Sequence, residues 1–380
     1  MRTYSTIRAA GWFFTGYPAT RYARLLQRAE QWSRVELEEY RNAKIRDLIT
    51  HCYDNVPYYR RVMEERKLLP QDIQRAEDLA RLPILTKRVI QDTPDDLLAR
   101  NVASRRVSWS KTGGTTGQPT RVCKNIECIA WESMCHERGL RWGGLGPDEP
   151  RIRLFGGSLG INRTRWTTRL RDLFLRRDLF LPAFELRTDT VAAYGEKIRR
   201  SKYRFLVGYA SAIYRLAVLA EEMHQPLTFD AVFPTAELLL PEWAEVIRTA
   251  FKCAVLPYYG CGEVNSLGYS IPGSRGYLIP EEHVLIEIMH PDGSTQGGGE
   301  GQFLITDLDN YAMPVIRYAN GDAGQIGYQP QGPFPFTRIE RLDGRYNSFL
   351  MTDTGELISG VIGTHVFRNL PSVKSYRIIQ

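Results

Sequence analysis

The segment Ser110 to Thr120, SKTGGTTGQPT, concentrates three glycines and four threonines. Glycines let backbone N–H groups converge without a Cβ in the way, and the hydroxyls add donors, which is the chemistry of a phosphate cradle. The nucleoside-triphosphatase loop is excluded: no Lys-Ser or Lys-Thr follows the last glycine, and a strand rather than a helix comes next. A Gly-rich hairpin is the plain alternative. A second segment, Tyr258-Tyr259-Gly260-Cys261-Gly262-Glu263, sets an aromatic beside a glycine and a carboxylate just beyond. The aromatic can stack on a flat base and the carboxylate can hold Mg²⁺, or the whole is a strand end with a turn. A third, Met313 to Asp322, ends in Asn320-Gly321-Asp322. An Asp after glycine in a tight loop can accept ribose hydroxyls, although taken singly it is more often a turn residue.

The surrounding pattern must place these loops. Ala23 to Gln31 and Arg34 to Tyr53 have helix-period apolar spacing, the second stopping at Asn55-Val56-Pro57. From Val107 the pattern is strand, Gly/Thr loop, strand, then a helix over Ile126 to Trp142. Strands and helices alternate through Arg151–Phe155, Thr190–Ser201, Phe205–Val207, Val232–Phe233, Pro241–Phe251 and Val255–Tyr259. That alternation predicts an α/β domain with largely parallel sheets. After residue 280 strands dominate, over His283–Met289 and Gly301–Leu308, with a turn at Pro291-Asp292-Gly293. Arg341 to Asn347 reads as a hinge, dividing a large domain, 1–340, from a further segment, 341–380.

With 43% hydrophobic and 24% charged residues over 380 positions, the chain is globular and not disordered, collagenous or coiled-coil. The apolar run Phe205 to Ala220 is shorter than a bilayer span and carries Arg215, so it reads as buried structure. Arg2, Arg8 and the patch Ala9 to Phe14 do not make a signal peptide, and a cytoplasmic location is the expectation. The six cysteines form no Cys-x-x-Cys pair and are expected as reduced thiols. Much of the +7 net charge lies in Arg163 to Arg177, read as a solvated helix face, with polyphosphate or an anionic membrane surface as the alternative. No nucleic-acid partner is expected.

Taken together and in this order, the three segments resemble the phosphate loop, the aromatic–Gly–x–x–Glu motif and the Gly-Asp ribose motif of the adenylate-forming acyl-CoA synthetase superfamily. Val56-Pro57-Tyr58-Tyr59-Arg60, Leu82 to Lys87, Pro234-Thr235-Ala236-Glu237 and Arg341 to Arg345 are similar to segments of its phenylacetate–CoA ligase-like branch, which includes capsule-locus proteins and synthetases that adenylylate a deazaflavin. The resemblance runs from about residue 30 to the last residue. It implies the N-terminal domain of an adenylate-forming enzyme, with parallel α/β sheets, a β-rich subdomain and a truncated lid. The implied reaction is ATP-dependent activation of a carboxylic acid as an acyl-adenylate, followed by transfer to CoA or another acceptor. Thr112, Gly113, Gly114, Thr115, Thr116 and Gly117 would hold the β- and γ-phosphates. Ala236, Glu237, Tyr259 and Gly260 would border the adenine, Glu263 would hold Mg²⁺, and Asp322 the ribose. Arg341 or Arg345 would reach the ribose or phosphates, and Glu263, Thr116 and Arg345 are the implied catalytic set. The acid pocket is expected around Tyr209-Ala210-Ser211 and Thr235 to Leu238; Trp131 and Phe155 are candidate lining aromatics, with the core as the favoured reading for both. Nucleotidyl transfer to another acceptor and a non-catalytic nucleotide-binding subunit are the alternatives. A homodimer is one of the oligomeric states left open.

The sequence departs from that family in three places. Ser270-Ile271-Pro272 and Gly327 to Pro333 stand where relatives carry zinc ligands, so no zinc is expected. Asn347 replaces an acidic hinge residue. Lys374 is the last lysine, ahead of the position of the family's catalytic lysine, so an incomplete lid and slow pyrophosphate release are expected.

Overall fold

The structure is a computed structural model and describes residues 18–103, 106–111, 120–155, 178–183, 186–200, 203–327, 330, 333–345, 349–351 and 357–359. It opens on helices α1 (Ala19–Ala29), α2 (Arg34–Asn55) and α3 (Pro57–Glu65). Ser33 starts α2 with a reciprocal cap: its hydroxyl accepts the Glu36 N–H, and the Glu36 carboxylate accepts the Ser33 N–H at 2.7 Å. Val56 ends it, because a residue before proline is pushed out of the helical region, and Pro57 begins α3 where a missing N–H costs nothing. Ile45, Leu48, Ile49 and Cys52 of α2 share one core with Tyr59 and Met63 of α3.

Strand β1 (Leu85–Thr86) and helix α4 (Lys87–Asp92) follow. Strands β2 (Val107–Lys111) and β3 (Arg121–Asn125) form an antiparallel hairpin, from Val107 opposite Asn125 to Lys111 opposite Arg121. The Gly/Thr loop joins them, and Thr112, Gly113, Gly114, Thr115, Thr116 and Gly117 all lie outside the described residues. Helix α5 (Ile126–Trp142) matches the apolar spacing of the sequence. Gly139 is required there: a Cβ would stand 2.1 Å from the Tyr269 ring, so only glycine lets the helix approach Tyr269 this closely.

A parallel sheet comes next, ordered β5 (Leu179–Pro182), β4 (Arg151–Phe155), β6 (Phe205–Tyr209), β7 (Ala231–Thr235), β8 (Ala254–Val255). Its crossovers include α6 (Thr188–Arg200), α7 (Ala210–Glu222) and α8 (Pro241–Phe251), which bury Val191, Ile198, Ile213, Leu216 and Ile247 against one face. Leu140 and Leu145 cover the other, over Phe155, Phe205 and Phe233. Sheets covered on both faces need near-continuous apolar strands, which β6 and β7 supply. The run Phe205 to Ala220 divides at Tyr209 into strand and helix. The basic stretch Arg163 to Arg177 lies outside the described residues.

The run Val255 to Tyr259, expected as one strand, is two. Pro257 has no N–H to continue a ladder. The chain therefore leaves the parallel sheet after Val255, and β9 (Tyr258–Tyr259) joins a second sheet. That sheet has nine strands and is mostly antiparallel: β13 (Thr295–Gln296), β12 (Val284–Met289), β14 (Gly299–Asp307), β15 (Tyr318–Ile326), β16 (Arg338–Arg345), β11 (Tyr277–Leu278), β10 (Gly268–Tyr269), β9, with β1 parallel to β15. Arg341 to Arg345, read from the sequence as a hinge, complete β16 in register with β15. Tyr346 to Ser348 and residues 360–380, Lys374 included, lie outside the described residues. Among the described residues no helix is long and apolar enough to cross a membrane.

Candidate nucleotide-binding site

Tyr259 is on β9 and Asp322 on β15, with β16, β11 and β10 between them in the sheet. The Tyr259 hydroxyl nevertheless donates to Asp322 Oδ2 at 2.6 Å, so the sheet curls enough to bring its strands face to face. Asn320 completes the group. Its Nδ2 donates to both the Tyr259 oxygen and Asp322 Oδ2, each at 2.7 Å, and its Oδ1 accepts the Asp322 N–H at 3.0 Å. Gly321 between them has φ +87°, the conformation that lets both flanking side chains turn the same way. Burial pushes the Tyr259 phenol well up, and the Asp322 charge pushes it further, so it stays a donor. Two sequence segments of separate chemistry thus form one hydrogen-bonded cluster. Asn320 is a member that the sequence pattern does not single out; its place in Asn-Gly-Asp is the signal for it.

The turn after Tyr259 holds Glu263. The Cys261 N–H donates to Val264 O at 3.0 Å, and the Val264 N–H points at Cys261 Sγ at 3.4 Å. Glu263 is buried. Burial pushes the Cys261 thiol up, Glu263 adding to it, which makes it a packing residue and not a thiolate. Ser266 at φ +62° closes the turn, and its hydroxyl donates to the Glu132 carbonyl at 2.9 Å.

The expected adenine-side loop lies next to this motif. Thr235 Oγ1 at the end of β7 donates to Tyr258 O at 3.1 Å. Ala236 follows at φ +66°, exposed, and the Glu237 carboxylate accepts the Ser211 N–H at 2.8 Å in the first turn of α7. Glu237 therefore caps a helix whose N-cap, Tyr209, makes no side-chain cap of its own. Phe155 and Tyr209 meet edge to face at 5.2 Å at the carboxyl ends of β4 and β6. Trp131 is core, stacked on Tyr22 at 4.5 Å.

The two arginines part company. Arg345 stands opposite Asp322 in the β15–β16 register, while Arg341 stands opposite Gln325. Arg341 is held by Asp343 at 2.7 Å and Glu300 at 2.7 Å, and its guanidinium is pushed above its ordinary value by Asp343 first. The cluster thus gathers Tyr259, Asn320, Asp322 and the backbone of Arg345, with the Glu263 turn adjoining, and leaves Arg341 to a separate carboxylate pair.

Two groups of side chains among the described residues stand close enough to share a metal: Cys128, Glu132 and Asp307, and His283, Asp307 and Asp309. Ammonium groups already thread both. Lys124 bonds Glu132, and Lys44 bonds Asp309 at 2.7 Å. The groups form a buried ion-pair network. Burial pushes the thiols of Cys52, Cys128 and Cys135 up, consistent with inert packing.

No family model matches the chain. The chain is 25% identical over 359 residues to phenylacetate–coenzyme A ligase of Aromatoleum evansii, covering 86% of this chain and 74% of that one. With phenylacetate–coenzyme A ligase of Escherichia coli it is 26% identical over 334 residues, 83% and 72% of the two chains. Among solved structures, an open conformation of 2-hydroxyisobutyryl-CoA ligase in complex with 2-HIB-AMP and CoA superposes with a TM-score of 0.73 at 18% identity, covering 93% of this chain and 85% of that one. Along most of its length the chain is thus similar to phenylacetate–coenzyme A ligases, and it has the fold of an adenylate-forming CoA ligase.

Proposed function

We propose that this protein uses ATP to activate a carboxylic acid as an acyl-adenylate, releasing pyrophosphate, and passes the acyl group to CoA. The observation that carries this is the Tyr259–Asn320–Asp322 cluster beside the buried Glu263 turn. A carboxylate offers about four acceptor positions, so Asp322 can serve its two side-chain donors and a pair of ribose hydroxyls. Tyr259 and the Ala236–Glu237 loop are the proposed adenine border. Glu263, a hard oxygen donor, is the proposed Mg²⁺ ligand, and the ion would supply charge neutralisation on the phosphates. Thr112 to Gly117 are the proposed phosphate cradle, with Thr116 and Arg345 contacting the transferring group. The proposed division is a catalytic body over 1–340 and a lid segment over 341–380.

The acid's own carboxylate is ionised at neutral pH, so its oxygen attacks the α-phosphorus without a general base, and the bond to pyrophosphate breaks. What the protein contributes is alignment and charge at phosphorus. In the second step the CoA thiol sulfur bonds the acyl carbon, its proton is lost, and AMP leaves. The acid's body is placed at the carboxyl ends of the parallel strands, against Phe155, Tyr209 and Thr235, where ligands of such sheets bind.

The decisive experiment incubates the chain with MgATP and a library of acids and follows pyrophosphate, AMP and, with CoA present, thioester. Acid-dependent AMP and pyrophosphate are expected. Release of orthophosphate and ADP, or pyrophosphate release with no dependence on an acid, would sink the proposal. Asp322→Ala is expected to weaken ATP and AMP binding alike by roughly 1–3 kcal/mol, the cost of losing hydrogen bonds to a charged group. Calorimetry with both nucleotides checks this, and unchanged affinity would make Asp322 a turn residue only.

A further inference from the structure

We propose that Lys124 and Glu132 are positioning residues, a buried ion pair that fixes the Glu263 turn against the strand leaving the Gly/Thr loop. This rests on the adenylation reading of the site. Lys124 is the fourth residue of β3, which begins directly after that loop, and Glu132 lies on the second turn of α5. Both side chains are nearly fully buried, at 6% and 9% exposure, and their charged atoms are in direct contact.

Glu132 faces the Glu263 turn as well as Lys124. Its Oε1 accepts the Asn265 N–H at 3.0 Å and its Oε2 accepts Asn265 Nδ2 at 3.3 Å, while its backbone carbonyl takes the Ser266 hydroxyl. Three bonds from one residue thus seize the two positions that follow Glu263-Val264. Tyr269 backs the arrangement by donating to Ser266 Oγ at 2.8 Å. Burial pushes the Glu132 carboxyl up, but Lys124, His283 and the Asn265 N–H outweigh it and hold it below its ordinary range, so the pair is ionised. The far side of β3 is braced in parallel: Asn310 Nδ2 donates to Cys123 O at 3.1 Å, and Asn125 Oδ1 accepts the Tyr311 N–H at 3.1 Å.

A buried ion pair is a poor way to add stability, since apolar residues of the same size often do as well or better. What this pair does that apolar residues cannot is accept hydrogen bonds from a loop while gripping a strand. The strand feeds the proposed phosphate cradle, and the loop carries the proposed metal carboxylate. Their separation is the distance that matters for MgATP.

The test compares four forms of the full chain: parent, Lys124→Met/Glu132→Met, Glu132→Met and Glu132→Gln. Each is followed by melting temperature, by Mn²⁺ binding to the ATP complex using electron paramagnetic resonance, and by acid-dependent pyrophosphate release. The double variant is expected to melt close to the parent. It should bind Mn²⁺ in the ATP complex about ten- to a hundredfold more weakly and lose kcat by a similar factor, the range that a misplacement of about 1 Å produces. KM for the acid should stay unchanged. Glu132→Gln keeps an oxygen for the Asn265 N–H and should retain more Mn²⁺ affinity than Glu132→Met. A double variant with parental Mn²⁺ affinity, or equal losses in the Gln and Met variants, overturns the proposal. Should the double variant fail to fold, the Gln–Met comparison still decides. A parent that binds Mn²⁺–ATP but never releases pyrophosphate sinks the ligase reading alone, and one that binds neither sinks both.

Discussion

Glu263→Gln is expected to lower acid-dependent pyrophosphate release by about 10²-fold or more, the cost of removing one preorganised electrostatic contact to a charged transition state. Glutamine has the same shape, so the turn that the Cys261 N–H and Val264 carbonyl close should stay in place. What is lost is the negative oxygen of the proposed metal ligand, and an amide oxygen is a far weaker partner for Mg²⁺. Because Glu263 is only 7% exposed, water cannot easily stand in for it. Pyrophosphate release would be measured at matched and at saturating Mg²⁺, with a thermal melt of both proteins. A melt within a few degrees of the parent with the rate collapsed at both concentrations fits the metal role. Equal release by variant and parent would remove Glu263 from the chemistry.

How much of this was legible depended on whether a contact is local. Helix α5 and helix α8 fall on Ile126–Trp142 and Pro241–Phe251 because their apolar residues recur at helix spacing and their ends carry ordinary signals, including proline at the first position of α8. The Tyr259, Glu263 and Asp322 segments stood out for the same reason: each is a short string in which glycine frees a turn beside one reactive side chain. That Tyr259 touches Asp322 could not be read, since 63 residues and a curled sheet separate them. The division of Val255 to Tyr259 was hidden by a continuous apolar run, and only the proline within it marks the change of sheet. The buried network of Lys124, Glu132, His283, Asp307 and Asp309 was least visible. Charged residues are ordinarily surface residues, and nothing in their spacing shows that they neutralise one another inside. Glu237 resembles an adenine-side residue by position, yet its capping of α7 depends on Ser211, a strand and a helix away.

The same hidden chemistry sets the second large expected effect, on stability. Arg138 of α5 and Glu282, just before β12, are 3% and 0% exposed. They meet in a forked pair, Nη1 to Oε1 at 2.5 Å and Nη2 to Oε2 at 3.1 Å. The guanidinium is also sandwiched, 4.9 Å from the Trp142 ring and 4.8 Å from Phe336. Arg138→Met would keep most of that packing but leave the Glu282 carboxylate sealed in without a countercharge, which costs about 3–5 kcal/mol. Denaturant unfolding should therefore show a large fall in midpoint with little change in slope. Adding Glu282→Leu to the same chain removes the stranded charge, so Arg138→Met/Glu282→Leu should recover most of the loss, and the cycle of four proteins should give a coupling well above ~0.5 kcal/mol. The contrast separates two causes that a single variant confounds. If stability fell because the aromatic sandwich was disturbed, the double variant would be no better than the single one. If it fell because a charge was orphaned, the second substitution restores it even though more native contacts are gone. A single variant costing under about 1 kcal/mol would mean that water reaches Glu282, and the pair would then count as no more than a surface ion pair.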